Sequence, residues 1–189
     1  MSKAVVHYSS DEDKHIQKIY LSDDGKFPNS SLPVLYYPQV LLLPGLFPTS
    51  EMKDMFSQND WKNTWQAGIY TFHHYHSNTH EVIGVVRGET TIQLGGENGV
   101  KLKIQKGDVI IIPAGTAHKN LGDENAVVCI GAYPKGKEYD MNYGKEGERP
   151  AADENIKKVK IPDHDPVFGT QGGVMRYWAV PAGSRASRA

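Results

Sequence analysis

Five of the eight histidines in the chain fall within two short segments, residues 68–88 and 107–120. His74 and His76 are two positions apart, so on an extended backbone both imidazoles leave the same face. Neutral imidazoles on one face can share a cation. Glu81 follows a polar stretch, Ser77-Asn78-Thr79, suited to a turn, and nearly at once the chain enters the apolar run Val82-Ile83-Gly84-Val85-Val86. An antiparallel partner can return its carboxylate to the histidine pair. His118 lies just beyond the turn-forming Pro113-Ala114-Gly115-Thr116 and can deliver a third imidazole from a neighbouring hairpin. Three nitrogens and one oxygen suit Fe, Mn, Ni, Zn, Co or Cu. Bonds to such an ion are about 2.0–2.2 Å long.

Neighbouring residues compete for these roles. Adjacent residues on a strand point to opposite faces, so Glu81 and His80 cannot both reach one ion, and the spacing favours Glu81. By the same rule His73 is the opposite-face neighbour of His74, suited to packing or to a hydrogen bond behind the ligands. Tyr70 and Phe72 share parity with His74 and His76, and Ile83 and Val85 with Glu81. All four are expected to line a cavity. Arg87 also matches Glu81 in parity; turned inward it would bind a carboxylate or phosphate, but a surface charge is the simpler reading. Cys129, within Val127-Val128-Cys129-Ile130, reads as a buried small hydrophobe. His164 reads as a loop residue, and His7 and His15 as exposed.

The elements that must position these groups are short. Strand candidates cover residues 65–72, 81–87, 89–94, 100–105, 108–112 and 126–133. Glycine-bearing turns separate them: Arg87-Gly88, residues 95–99, Lys106-Gly107, Ala114-Gly115 and Gly122-Asp123. Closely spaced strands with glycine turns predict an all-β sandwich or barrel. Before them, residues 32–43 suggest a proline-marked edge strand. Ser50 is placed to cap a short helix ending near Asn59. Residues 134–173 read as a long surface excursion, and 174–180 as a closing strand. The expected organisation is an N-terminal arm, edge strand and helix over 1–60, a barrel core over 61–135, and an extension over 136–189.

Composition narrows the function. A formal net charge of −1, with acidic and basic residues mixed along the chain, offers no basic face for nucleic acid or an anionic membrane. The longest apolar runs are strand-sized, far below a membrane span. The first residues lack the apolar centre of a signal peptide, and a single cysteine excludes an internal disulfide. Together these features predict a cytoplasmic location. The apolar, proline-marked strand near the N-terminus suggests an exchangeable arm and a homodimer.

The two histidine segments resemble the paired motifs of the cupin superfamily. In the first, Gly68, five residues, His74-x-His76, four residues, Glu81, six residues and Gly88 match in order. In the second, Gly107, five residues, Pro113-x-Gly115, two residues and His118 match, and only the trailing Asn departs, falling at Asn120. The resemblance implies a double-stranded β-helix, or jelly-roll barrel, with a few short helices. It also implies that His74, His76, Glu81 and His118 hold one divalent transition metal in the barrel mouth. Stretches around residues 73–81, 131–134 and 162–169 resemble the YjlB-like cupins, a group without an assigned reaction. The fold therefore outruns the function. An enzyme of dioxygenase or oxidase type, acting on a small oxygenated molecule, is favoured because no second carboxylate or lysine stands out as a base. A sugar isomerase or epimerase is the alternative, as is a non-catalytic binder of small ligands.

Overall fold

A computed structural model describes residues 5–6, 16–43 and 48–179. The rest of the N-terminal arm, with His7 and His15, and the tail beyond residue 179 lie outside the described residues. In chain order the strands are β1 (Val5–Val6), β2 (Gln17–Ile19), β3 (Val34–Tyr37), β4 (Leu41–Leu42), β5 (Trp61–Ala67), β6 (Glu81–Leu94), β7 (Val100–Gln105), β8 (Val109–Ile112), β9 (His118–Asn120) and β10 (Val127–Pro134). Helix α1 spans Pro48–Gln58 and α2 spans Ala151–Lys158. Every strand pairing is antiparallel.

Strand β6 organises the barrel. Its first half, from Glu81, is bonded between β8 and β10, and its second half, to Leu94, between β7 and β9. The switch of partners falls at Gly88, which has φ +77°. A Cβ there would lie 2.0 Å from the Ala126 carbonyl oxygen, so only glycine lets the strand turn the corner. The order β2-β3-β8-β6-β10-β5 completes the larger sheet.

Both faces of the β6 sheet are buried, which is why residues 81–86 are inaccessible without alternation. Ile83 and Val85 face the barrel interior with Ile92, Leu94, Ile104, Ile110 and Cys129. Val82 and Val86 face outward, beneath Met52 and Phe56 of α1 and beneath Val167, Val174 and Trp178. Burying a Val, Leu or Ile side chain in such layers contributes about 1.5–3 kcal/mol. Asp165 ties the C-terminal segment down: its carboxylate accepts from the Tyr37 hydroxyl and from the backbone N–H groups of Val167, Phe168 and Val174.

Several expected boundaries move. The strand predicted over 65–72 lies over Trp61–Ala67, because the chain leaves the ladder at Gly68, pressed against the Glu124 carbonyl. The two strands predicted over 81–94 are one. The predicted edge strand is internal: β3 lies between β2 and β8, with Pro33 and Pro38 flanking the ladder rather than interrupting it. Ser50 falls within the first turn of α1 instead of ahead of it. Residues 174–178 form a wide helical turn where a closing strand was expected.

Candidate metal centre

Two backbone bonds join the histidine segments. His74 N–H donates to the His118 carbonyl at 3.2 Å, and His118 N–H donates to the His74 carbonyl at 3.0 Å. This antiparallel bridge brings the two imidazoles to a centroid separation of 4.2 Å. His76 completes the triad: one ring nitrogen from each of His74, His76 and His118 lies within 4.8 Å of the others, and all three residues are buried. Glu81, the first residue of β6, places Oε2 3.4 Å from Nε2 of both His76 and His118.

The proton positions follow from the partners. Nδ1 of His74 faces the Phe72 carbonyl at 3.2 Å, Nδ1 of His76 the Asp140 carbonyl at 2.6 Å, and Nδ1 of His118 the Thr116 carbonyl at 3.1 Å. A carbonyl oxygen only accepts, so each Nδ1 carries the hydrogen. In the neutral rings Nε2 is then a bare lone pair. Three such lone pairs and a carboxylate oxygen face one another at the base of a cavity, and among the described residues Oε2 of Glu81 is buried with no hydrogen bond of its own. That arrangement repels itself unless a positive charge lies among the four atoms. Separations of 3.4 Å are those of two bonds of about 2.1 Å meeting on one ion.

The charge states differ among the four groups. Burial, with His118 beside it, pushes His74 down to about 3. Burial also opposes a charge on His76, but the adjacent Glu81 carboxylate outweighs it and raises the group. Glu81 is held well below the usual carboxylate range: burial favours its neutral form, and His76 and His118 overcome that. Glu81 is thus ionised, its charge balanced by a proton on His76 or by a cation in its place.

Behind the four groups lies a second layer. Glu81 Oε1 accepts from the Tyr133 hydroxyl at 2.8 Å and lies 3.1 Å from the Trp65 indole N–H, which also meets the Tyr133 hydroxyl at 2.9 Å. Burial and the Glu81 carboxylate push the Tyr133 phenol far up, so it remains a donor. With Oε1 held, Oε2 is the oxygen presented to the histidines. The segment after β10 fastens the other side: Asp140 accepts at its carboxylate from Ser77 N–H at 2.7 Å and from the Ser77 hydroxyl, while its own carbonyl orients His76. The surface excursion expected over 134–173 therefore carries part of the site. Trp65, Tyr133 and Asp140 had no local sequence signal, since each reaches the site through pairing across many residues.

The four donors open onto a cavity of about 120 Å³ walled by Trp65, Ile69, Ile83, Tyr133, Tyr139 and Met141, with Tyr70 and Glu124 also at its border. Among the described residues no lysine or arginine lines it. Tyr70 and Tyr139 are 46% and 41% exposed, which puts them at the mouth. Two expected cavity residues are elsewhere. Phe72 is 46% exposed, stacked on Tyr70, and borders a different groove. Its parity with His74 fails because residues 68–73 are not a strand. Val85 is fully buried deeper in the barrel, packed among aliphatic neighbours. Arg87 is exposed on the outside. His80 faces away from Glu81, accepting from Ala114 N–H at 3.0 Å and packing against Trp178. His164 contributes its carbonyl to the Trp61 indole. Cys129 is fully buried, and burial pushes its thiol up to about 12.

A jelly-roll barrel holding three inward histidines and one inward glutamate defines a cupin, and the chain belongs to that family: the Cupin domain model matches residues 64–131. Within it, the chain is 36% identical over 167 residues to the uncharacterized protein YjlB of Bacillus subtilis (strain 168), covering 88% of this chain and 98% of that protein. Among solved structures it is similar to acireductone dioxygenase from Bacillus anthracis with a cadmium ion in its active centre, at 18% identity over 51% of this chain and 64% of that one, TM-score 0.37. It is also similar to the recombinant pro-11S globulin of pumpkin, at 17% identity and TM-score 0.36, over 42% of this chain and 22% of that one. Both likenesses are confined to part of the chain.

Proposed function

We propose that the chain is a metal-dependent enzyme of dioxygenase or oxidase type, acting on a small, uncharged, oxygenated molecule. The observation that carries this reading is the buried Glu81 Oε2 without a hydrogen bond, 3.4 Å from two imidazole nitrogens whose protons are committed elsewhere. His74, His76, Glu81 and His118 would hold the ion, which when bound supplies Lewis acidity and, for a redox-active metal, electron transfer to dioxygen. Tyr133 and Trp65 keep Glu81 turned toward the histidines, and Asp140 keeps His76 in register. The apolar walls exclude bulk water and strengthen polar interactions inside. Among the described residues no lysine or arginine lines the cavity, which favours phenolic or enolic compounds of a few carbons over sugar phosphates and free organic acids.

The second reading, an isomerase or epimerase, is favoured by Glu124, a carboxylate residue at the border of the same cavity. Elemental analysis of protein purified without added metal tests the centre, with about one transition ion per chain expected, and none in His74→Ala or His118→Ala. Oxygen uptake with Fe(II), Mn(II), Ni(II) or Cu(II) across a panel of phenols and enolic carbonyl compounds then tests the reaction. A loaded protein that takes up no oxygen but interconverts substrates would move the assignment to isomerase. Tight binding without turnover would make it a ligand-binding protein.

A further inference from the structure

We propose a second ligand site, distinct from the metal cavity: a groove on the far side of the His73–His74 peptide that binds a small planar molecule bearing an oxyanion such as phosphate or carboxylate. The groove measures about 430 Å³ and shares no lining residue with the metal cavity. Its volume falls in the range of small-molecule sites. Among the described residues, Lys26, Lys119 and Lys145 line it against one carboxylate, Glu97, leaving an excess of positive charge.

His73 points to a ligand. The residue is only 8% exposed, and among the described residues neither of its ring nitrogens has a hydrogen-bond partner. Leaving such a group unsatisfied costs about 1–3 kcal/mol. Its Nε2 faces Glu97 Oε1 at 3.6 Å, beyond hydrogen-bond reach. The Glu97 oxygens meanwhile lie 3.1 and 3.2 Å from Lys119 Nζ. The Glu97 carboxylate thus stands where an incoming oxyanion would meet both His73 and Lys119. Glu97 is a replaceable occupant: it belongs to the turn between β6 and β7, its side chain is 66% exposed against 16% for Lys119, and a single ion pair open to solvent on one side contributes little.

Aromatic rings supply the walls. Phe27 lies 5.3 Å from the His73 ring, and Phe72 and Tyr143 lie 5.9 Å from one another, 46% and 36% exposed. Lys26 and Lys145 hold their ammonium groups over Phe27 and Tyr143, at 5.1 and 4.7 Å from the ring centres. Phe27 is buried and forms the floor, while the exposed rings of Phe72 and Tyr143, with cations beside them, suit a planar body with an anionic end.

The test uses the full chain treated with chelator, so that no probe binds through an ion at the histidine cluster. Phenyl phosphate, inorganic phosphate and phenol are titrated while backbone amide shifts are followed by NMR. Phenyl phosphate is expected to shift the amides of Phe27, His73 and Glu97 saturably. It should bind about five- to tenfold more tightly than inorganic phosphate because only it engages the rings. Lys119→Met and Lys145→Met should each weaken it by about tenfold, with amide dispersion reporting that the variants are folded. Glu97→Gln should tighten it. Shifts that rise without saturation, affinity unchanged in both lysine variants, weaker binding in Glu97→Gln, or shifts confined to the metal cavity would each overturn the proposal. Equal affinity for inorganic phosphate would overturn the planar-body requirement.

Discussion

Glu81 divides its two oxygens between different partners. Oε1 belongs to Tyr133 and Trp65, and Oε2 to the histidine face. This division gives the carboxylate one orientation, which a lone glutamate on a strand end would lack. Tyr133→Phe removes the donor without changing the ring, and Trp65→Phe removes the indole N–H. Each is expected to lower metal affinity by about ten- to a hundredfold, the usual effect of freeing a ligand's outer partner. A competition titration with a chromophoric chelator measures it. Affinity unchanged in both variants would mean that the pair only packs against Glu81.

At the scale of elements, the corner in β6 and the fastening of α2 are separable. Gly88→Ala must hold φ near +77° and push a methyl into the Ala126 carbonyl. Its expected cost is about 1–3 kcal/mol, read from denaturant midpoints. Arg149, just before α2, bridges Asp23 and Asp153 through four charge-assisted hydrogen bonds. The Arg149 guanidinium holds both carboxyls below their ordinary value of 3.8. Depressed carboxylates stabilise the fold above the ordinary value and lose that contribution as pH falls through the depressed one. Arg149→Met should therefore be less stable by about 0.5–1 kcal/mol at pH 7, since the network is partly exposed. The gap should narrow below about pH 4. A gap independent of pH from 7 to 3 would assign the effect to packing alone.

For the whole molecule, the candidate metal centre joins two segments that are distant in sequence: residues 74–81, with His74, His76 and Glu81, and His118 at the start of β9. An ion that binds all of them binds only the folded chain. At about a hundredfold excess over its Kd it should stabilise the fold by about 2.7 kcal/mol. That corresponds to a rise of about 5–10 °C in melting temperature. Chelation should reverse the rise, and His118→Ala should abolish it. We also expect a homodimer, seen by light scattering as twice the 21.0 kDa chain mass. The internal position of β3, bonded on both sides, argues against exchange of that strand as the means. A particle of single-chain mass would reject the dimer.

The four candidate donors could be named from the sequence because each of the two motifs that carry them is local. His-x-His needs only an extended backbone, and a Pro-x-Gly turn before His118 sets where the next imidazole begins. The barrel was legible because glycine turns punctuate short apolar runs, and turns act over a few residues. Phe72 and Val85 were misplaced for a physical reason: parity assigns a face only while the ladder lasts, and depth in a barrel has no periodic signature. Pairing across the chain decided the rest. Tyr133 and Trp65 meet Glu81 because β10 lies between β5 and β6, and Asp140 reaches His76 because its segment folds back over the barrel. Those contacts close loops of many residues, and their free energy comes from tertiary burial, which no local pattern records.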